Sequence, residues 1–293
     1  MLHTIRNEHF EVTVNELGAQ LWSILGADGT QYFWQGDQAY WADRALTIFP
    51  YVARLWQGKY MLDGEIHEMP IHGFAPESRF VLIEKTESRM VFALTDSEET
   101  RAQYPRRFVF RVAYGLEDDS LAVTYEVENR DEKPMFFGLG GHPGFNVPLE
   151  AGKAFTDYRL RFAKPCAPMR VGFSPACFVT GEDTLFPLKE NTLLPLTHDL
   201  FDEDAIVLRD MAREVTLEAE GGAYFVTVSF PDMPYLGIWH WPKKDAPYVC
   251  IEPWASLPAR HGEVAVFEKQ SDLIRLDPGK AYKNRWTIRV GRR

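Results

Sequence analysis

Apolar and polar residues alternate along much of this chain, and a period of two residues is the pattern of β-strands. The segment Phe10-Glu11-Val12-Thr13-Val14 alternates in this way, and a second strand is predicted over residues 19–25. Gly26-Ala27-Asp28-Gly29 then has the composition of a tight turn, before a third predicted strand at residues 31–34. We therefore expect a β-hairpin here.

The same alternation continues through the sequence, and only one short helix is predicted. This helix covers residues 98–103 and ends before Pro105. Further strands are predicted at residues 80–83, 90–94, 108–114, 121–127, 158–162, 214–219, 224–230, 236–241, 248–252, 273–276 and 284–290. Many short strands joined by Gly, Pro and Asp turns indicate an all-β fold, a large antiparallel sandwich. Because we find no linker and no repeat, we predict a single domain over residues 1–293.

Charge and cysteine content exclude several classes of function. The net charge of −10 disfavours nucleic acid and anionic membrane surfaces as partners, and no run of 18 apolar residues occurs. The three cysteines are odd in number and form no C-x-x-C pair, which argues against a disulfide framework and a zinc–thiolate site. With no signal-peptide pattern, we expect a cytoplasmic protein. Neither dinucleotide-binding nor P-loop glycine motifs are present.

Glu252 is the first candidate for chemistry. On a strand it shares one face with Tyr248, Cys250 and Trp254, so its carboxylate is expected to be partly desolvated. Desolvation raises the pKa of a carboxyl group and makes its ionised form a stronger base. The alternative is a strand-end glutamate that reaches water.

His142 is the second candidate, because it follows two glycines and precedes Pro143. We expect the glycines to let the backbone approach a ligand, and imidazole titrates near neutral pH. A turn histidine capped by backbone is the alternative. His72, which precedes Gly73, is a weaker candidate on the same grounds, and Arg54 in an apolar run needs either a carboxylate or ligand hydroxyl groups as partner.

Two other polar sites are weaker candidates for a chemical role. His240 lies between Trp239 and Trp241 on a predicted strand, so it points away from both and is expected at the sheet surface. The acidic cluster 202–204 is typical of a solvated loop, although one member could reach a hydroxyl group of a ligand. The histidines show no metal-ligand spacing, so no metal site is expected.

Taken in order, several short segments resemble the aldose 1-epimerase (galactose mutarotase-like) superfamily, and most closely its LacX-like branch. The matching segments span nearly the whole chain and are Trp34-Gln35-Gly36-Asp37, Tyr40-Trp41, Phe49-Pro50 to Arg54, Gly58-Lys59-Tyr60, Asp63-Gly64, His72-Gly73-Phe74, Gly141-His142-Pro143-Gly144-Phe145-Asn146, Asp204-Ala205-Ile206 and Glu252-Pro253-Trp254. The resemblance implies a β-supersandwich with an open sugar-binding cleft and no cofactor.

The resemblance also implies roles for individual residues. Glu252 matches the general base and His142 the general acid, which together open and close the ring of a free hexose. His72 and Arg54 match residues that bind and polarise the sugar, and Asp204, or its neighbour Glu203, matches one that holds hydroxyl groups. Trp56 or Trp254 is expected to form a stacking wall. The expected partner is a small-molecule sugar, bound by a monomer or homodimer.

The sequence leaves three alternative functions open. A hexose-phosphate 1-epimerase needs a further cationic pocket, for which Arg106 and Arg107 are candidates. A glycoside hydrolase needs two carboxylates about one bond, for example Glu252 and Asp204. A non-catalytic sugar-binding or sensing protein could use the same scaffold, because fold does not fix function. The chain also departs from better-known mutarotases around Pro143 and Pro253, which leaves the preferred sugar undecided.

Overall fold

A computed structural model describes residues 1–293, and almost all of its regular structure is β-strand. The helix α1 covers Glu98–Gln103, as predicted, and short 3₁₀ turns lie at Trp56–Gly58, Ala75–Glu77, Phe155–Asp157, His198–Phe201 and Phe267–Lys269. The strands are β1 Leu2–Arg6, β2 Phe10–Asn15, β3 Gln20–Gly26, β4 Ala45–Ile48, β5 Lys59–Leu62, β6 Glu65–Glu68, β7 Val81–Lys85, β8 Arg89–Thr95, β9 Phe108–Glu117, β10 Ser120–Asn129, β11 Met135–Phe137, β12 Gly140–Asn146, β13 Tyr158–Phe162, β14 Met169–Arg170, β15 Thr184–Leu185, β16 Leu193–Pro195, β17 Ile206–Arg209, β18 Glu214–Ala219, β19 Tyr224–Ser229, β20 Tyr235–Trp239, β21 Tyr248–Trp254, β22 Ala265–Val266, β23 Ile274–Leu276 and β24 Ala281–Arg292.

Two large sheets dominate the fold. One has nine strands in the order β16-β13-β18-β19-β24-β10-β9-β8-β7, and the other has seven in the order β15-β14-β17-β20-β21-β12-β4. Three small sheets, β1-β2-β3, β11-β23 and β22-β5-β6, complete the structure. The predicted all-β, antiparallel supersandwich is confirmed, and among the named strands the one parallel pair is the short contact between β22 and β5.

The prediction of a regular strand at residues 31–34 is wrong. The turn before it forms, and the Gly26 amide donates to the Thr30 carbonyl, but the segment makes only isolated bridges. The reason is that its backbone hydrogen bonds go to two different strands. The Tyr32 amide donates to Ile24 on β3, whereas the Trp34 amide donates to Gly144 on β12.

One face of the seven-stranded sheet packs into the core, and the other face lines a cavity. On β21, Val249 and Ile251 belong to a hydrophobic cluster of 69 buried residues that includes members of both large sheets. The intervening Cys250 and Glu252 point to the opposite face, as strand alternation requires.

None of the helices has the length and apolar character of a membrane span. The single domain over residues 1–293 stays a prediction.

Candidate active site

A row of side chains across the seven-stranded sheet forms the floor of the main cavity. Val207 on β17 pairs with Gly237 on β20, and Gly237 pairs with Glu252 on β21. The constant register between β21 and β12 places His142 opposite Glu252, and His142 in turn pairs with Leu46 on β4. Directly opposed residues on one face of an antiparallel pair have neighbouring Cβ atoms. The sheet register therefore brings together two residues that lie far apart in the sequence.

The cavity has a volume of about 460 Å³ and contains nearly all of the predicted site residues. It is lined by Trp41, Leu46, Ala53, Arg54, Ile71, His72, His142, Phe173, Cys177, Glu203, Asp204, Ala205, Val207, Trp239, Trp241, Pro242, Glu252, Trp254 and Pro258. This volume lies within the usual range for small-molecule sites, and apolar walls with a few convergent polar groups are typical of them.

His142 and Glu252 form the buried end of this cavity. The Nε2 atom of His142 lies 3.3 Å from Oε2 of Glu252, and their side chains are 9% and 1% exposed. The Nδ1 atom of His142 and Oε2 of Glu252 are buried and make no hydrogen bond. Buried polar atoms normally have a hydrogen-bond partner, so two unpartnered atoms at the end of a cavity make this pair a candidate for chemistry.

Burial shifts the proton affinities of this pair in opposite directions. It holds the pKa of His142 well below 6.5, and the neighbouring His72 acts in the same direction. It raises the pKa of Glu252 well above 4.5, and the Asp204 carboxylate adds to this shift. In both residues burial disfavours the charged form. Burial therefore favours the pair with a proton on the Glu252 carboxyl and a neutral His142 over the pair with a carboxylate and an imidazolium.

A constrained loop places His72 beside His142, with ring centroids 5.4 Å apart. The backbone of His72 has a φ of 64°, its amide donates to the Ala53 carbonyl, and its Nδ1 accepts from the Ala53 amide. A Cβ on Gly73 would lie 2.2 Å from the Phe49 carbonyl oxygen, so only glycine fits after His72. Burial lowers the pKa of His72 to about 4, with a contribution from Arg54, so its imidazole is neutral.

Asp204 and Arg54 form the charged side of the cavity. The Nη2 atom of Arg54 lies 3.9 Å from Oδ2 of Asp204. The Asp204 carboxylate also accepts the Ala205 amide and the Cys177 thiol. Glu203 lines the cavity too, so the choice between Glu203 and Asp204 as the residue that contacts a ligand stays a prediction. Asp204 is the one that the structure holds in place through several contacts.

The two tryptophans predicted to form a stacking wall have different locations. Trp254 lines the cavity, and its buried Nε1 donor has no hydrogen-bond partner. Trp56 is not among the lining residues; its ring packs against Phe178 and His261. The predicted stacking wall from one of these two residues stays a prediction, and the cavity lining favours Trp254 for it.

Two further expectations need correction. His240 points away from Trp239 and Trp241, as predicted, but it is fully buried rather than at a surface. It contacts His198 and Phe201, so the face opposite the cavity is also covered.

The glycines before His142 make room for tryptophan side chains rather than for a ligand. A Cβ on Gly140 would lie 2.7 Å from Trp254, and one on Gly141 would lie 2.7 Å from Trp286.

Sequence reasoning missed several lining residues. Trp41 and Trp239 pack against the His142 ring at centroid distances of 4.8 and 5.4 Å. The alternation that set His240 apart could have placed Trp239 in the cavity. No pattern in the sequence pointed to Phe173 or Cys177, because their loop is brought to the cavity only by the fold.

One cluster has donor atoms that could hold a metal ion. The donors of His142, Cys250 and Glu252 lie within 4.8 Å of one another. A metal would need the thiol and the carboxyl in their deprotonated forms. Burial raises the pKa of both groups, so protons compete with a metal here. The expectation of no metal site stays a prediction.

Comparison with known proteins gives consistent matches over the whole chain. Residues 1–289 match the family model described as aldose 1-epimerase. The chain is 31% identical over 297 residues to the chromosomal protein LacX of Lactococcus lactis subsp. lactis, and the match covers 98% of each protein. A galactose mutarotase related enzyme from Lactobacillus acidophilus superposes with a TM-score of 0.94 at 31% identity, covering 99% of this chain and 97% of the other. A galactose mutarotase-like protein from Lactobacillus casei ATCC 334 gives 0.93 at 33% identity, covering 99% and 100%.

Proposed function

The chain belongs to the aldose 1-epimerase family, and from that premise we propose that it is an isomerase that interconverts the α and β anomers of a free aldose. The observation that carries the proposal is the 3.3 Å approach of His142 Nε2 to Glu252 Oε2 at the buried end of a cavity. Anomer exchange moves protons at two oxygens, O1 and O5, which are bonded to the same carbon. An acid and a base side by side suit that geometry.

In the proposed reaction, the proton of the Glu252 carboxyl first moves to His142 across the 3.3 Å that separates Oε2 from Nε2, which gives a carboxylate beside an imidazolium. Glu252 then takes the proton from the anomeric hydroxyl O1 while His142 gives its proton to the ring oxygen O5. The C1–O5 bond breaks and the C1–O1 bond becomes a carbonyl. Rotation about C1–C2 presents the other carbonyl face, and the two residues reverse their roles as the ring closes. One proton stays on the pair throughout, either as carboxylate with imidazolium or as carboxyl with imidazole. No electrons are transferred, so the chemistry needs no redox cofactor.

The surrounding residues would stabilise charge and bind hydroxyl groups. The neutral His72 imidazole and the Arg54 guanidinium can act on oxygens where negative charge develops. The Trp254 indole offers an unpartnered N–H donor and an apolar face for the sugar ring. Because Asp204 is held by several contacts, we place it as an acceptor for sugar hydroxyl groups.

The charges in the cavity favour a neutral sugar over a sugar phosphate. Among the lining residues, Arg54 is the one lysine or arginine, and it already faces Asp204. Glu203 and Glu252 add two more carboxyl groups to the same cavity. Arg106 does not line it, because its guanidinium is buried elsewhere against Asp63. A phosphate would therefore meet net repulsion rather than a cationic pocket.

The hydrolase and binding-protein alternatives make different demands on the site. A hydrolase would use Asp204 as the second carboxylate, yet this group is engaged with a thiol, an amide and a guanidinium. A binding protein has no need for an unpartnered acid–base pair buried beside its ligand.

Cytoplasmic location and a monomeric or homodimeric state stay predictions.

The deciding experiment is polarimetry of freshly dissolved α-glucose and α-galactose, and of glucose 6-phosphate, with and without the protein. We expect faster anomer exchange with at least one free sugar and a weaker effect on the phosphate. Sugar binding in a calorimeter without faster exchange would favour the binding-protein alternative. Release of reducing sugar from aryl glycosides would favour the hydrolase.

A further inference from the structure

Cys177 is a cavity residue to which the proposed reaction gives no role. It lies in the loop between β14 and β15, where Phe173 and Val179 form an isolated bridge. Its amide donates to the Ser174 carbonyl at 2.8 Å, and its backbone has a φ of 63°, in the left-handed region that a cysteine rarely adopts. The turn that this hydrogen bond closes therefore fixes the backbone of Cys177 at the cavity wall.

The thiol contacts one specific oxygen of the charged side of the cavity. The Sγ atom of Cys177 donates to Oδ2 of Asp204 at 3.1 Å, and Nη2 of Arg54 lies 3.9 Å from the same oxygen. The other oxygen, Oδ1, accepts the Ala205 amide at 2.9 Å. The carboxylate is therefore fixed from both ends, and since it offers about four lone-pair sites, at least one remains for a ligand hydroxyl.

We propose that Cys177 is a positioning residue for sugar binding, whose thiol orients the Asp204 carboxylate so that its remaining lone pair accepts a sugar hydroxyl. This inference rests on the proposed function, because it takes the cavity to be the sugar site. It assigns Cys177 no part in proton transfer.

The thiol suits this role because it stays protonated. Burial and the Asp204 carboxylate raise the pKa of Cys177 to about 11, with Arg54 acting in the opposite direction. The group is therefore a donor over the whole neutral range, whereas a thiolate would repel the carboxylate. The neighbouring Phe178 is packed edge-on against Trp56, which supports the loop from behind.

The first test compares Cys177→Ala with Cys177→Ser. The alanine variant should raise Kd for the sugar by calorimetry, and KM for anomer exchange, by roughly three- to tenfold, with little change in kcat, since one hydrogen bond to a charged group is lost. The serine variant should restore both values because its hydroxyl also donates. Cys166→Ala is the matched control, because Cys166 is half-buried and does not line the cavity. Wild-type Kd and KM in Cys177→Ala, or serine behaving like alanine, would overturn the proposal.

The second test does not depend on any sugar. In Asp204→Asn the thiol loses the adjacent negative charge, so alkylation of Cys177 by iodoacetamide at pH 8, followed by mass spectrometry of its peptide, should be faster than in the wild type. An unchanged rate would show that the thiol and the carboxylate are not coupled, and would overturn the proposal. Sugar binding without faster anomer exchange would refute the proposed reaction while the Kd comparison still tests Cys177. Absence of any sugar binding would refute both.

Discussion

Glu218 and Glu252 are both 1% exposed, yet they lie on different large sheets and have opposite kinds of partner. Glu218, on β18 of the nine-stranded sheet, accepts hydrogen bonds from Arg159, Arg161 and Arg293. Glu252, on β21 of the seven-stranded sheet, faces a neutral histidine and keeps an oxygen without a hydrogen bond. Burial alone would raise the pKa of Glu218, but Arg161 and Arg293 outweigh it and the pKa falls below 4.5. For Glu252 burial prevails and the pKa rises.

The difference teaches that the partners of a buried carboxyl group, rather than its burial, separate a structural role from a chemical one. A carboxylate surrounded by guanidinium groups is stable and has no reason to take up a proton. A carboxyl group next to a neutral imidazole has no fixed counter-charge that holds it ionised, so it can both take up and give up a proton. The two glutamates therefore serve as controls for each other.

The largest expected effect is on catalysis by Glu252→Gln. This change keeps the shape of the side chain and removes the base, so kcat for anomer exchange should fall about 10²- to 10⁴-fold. The melting temperature should stay the same or rise, because an unfavourable ionisable group leaves the interior. Polarimetry and thermal denaturation measure the two quantities. A kcat near that of the wild type would show that Glu252 is not the base.

The matched change, Glu218→Gln, should do the reverse. It breaks charge-assisted hydrogen bonds to partly exposed arginines, so the free energy of unfolding should fall by about 2 kcal/mol while kcat is unchanged. Denaturant titration gives the first quantity and polarimetry the second. Because the pKa of Glu218 is lowered, the stability gap between wild type and variant should be full above pH 4.5 and shrink as the pH falls further. A large loss of kcat without a loss of stability would contradict the comparison.

The pH dependence of kcat/KM should follow the pair that holds one proton. On the acid side, His142 takes up a second proton, and because its pKa is lowered this limb should have its midpoint below pH 6.5. On the alkaline side, Glu252 loses the last proton, and because its pKa is raised this limb should lie well above pH 4.5. Each limb should fall roughly tenfold per pH unit beyond its midpoint. Glu218→Gln should keep both limbs, and an acid midpoint above pH 6.5 would contradict the assignment.

The smallest expected effect separates the two tryptophans. Trp254→Phe keeps an aromatic face but removes the indole N–H, so KM should rise roughly threefold if that donor meets a sugar hydroxyl. Trp56→Phe should leave KM nearly unchanged, because its ring does not line the cavity. Steady-state kinetics of both variants measure the difference. Equal effects would mean that the indole donor of Trp254 is not used.

Much of this contrast could be predicted from the sequence, because it depends on strand alternation. Alternation places Glu252 and Trp254 on one face of β21, and it points His240, directly after β20, away from Trp239, as the structure has them. The short helix is also predicted with its observed bounds, because Pro105 follows it closely. The structure adds a cap at its start, where the Thr100 amide donates to the Ser97 hydroxyl. Such features arise within a few residues of chain.

Features that depend on long-range packing could not be predicted from local patterns. The Glu252–His142 contact requires the register between β21 and β12, which no local pattern sets, and only the family resemblance paired the two residues. The placement of Trp56 behind the cavity depends on Phe178, and the entry of Cys177 depends on the bridge between Phe173 and Val179. The residues that hold Glu218 in its ionised state likewise come from β13 and the end of β24. Here distant segments meet, and only the folded chain shows which ones.

The most direct test of the central claim is the anomer-exchange rate of the double variant Glu252→Gln/His142→Asn beside the two single variants. Residues that share one proton act as a unit, so the double variant should lose about as much kcat as the worse single variant. A loss equal to the product of the two single losses would mean that the groups act independently, and would contradict the account.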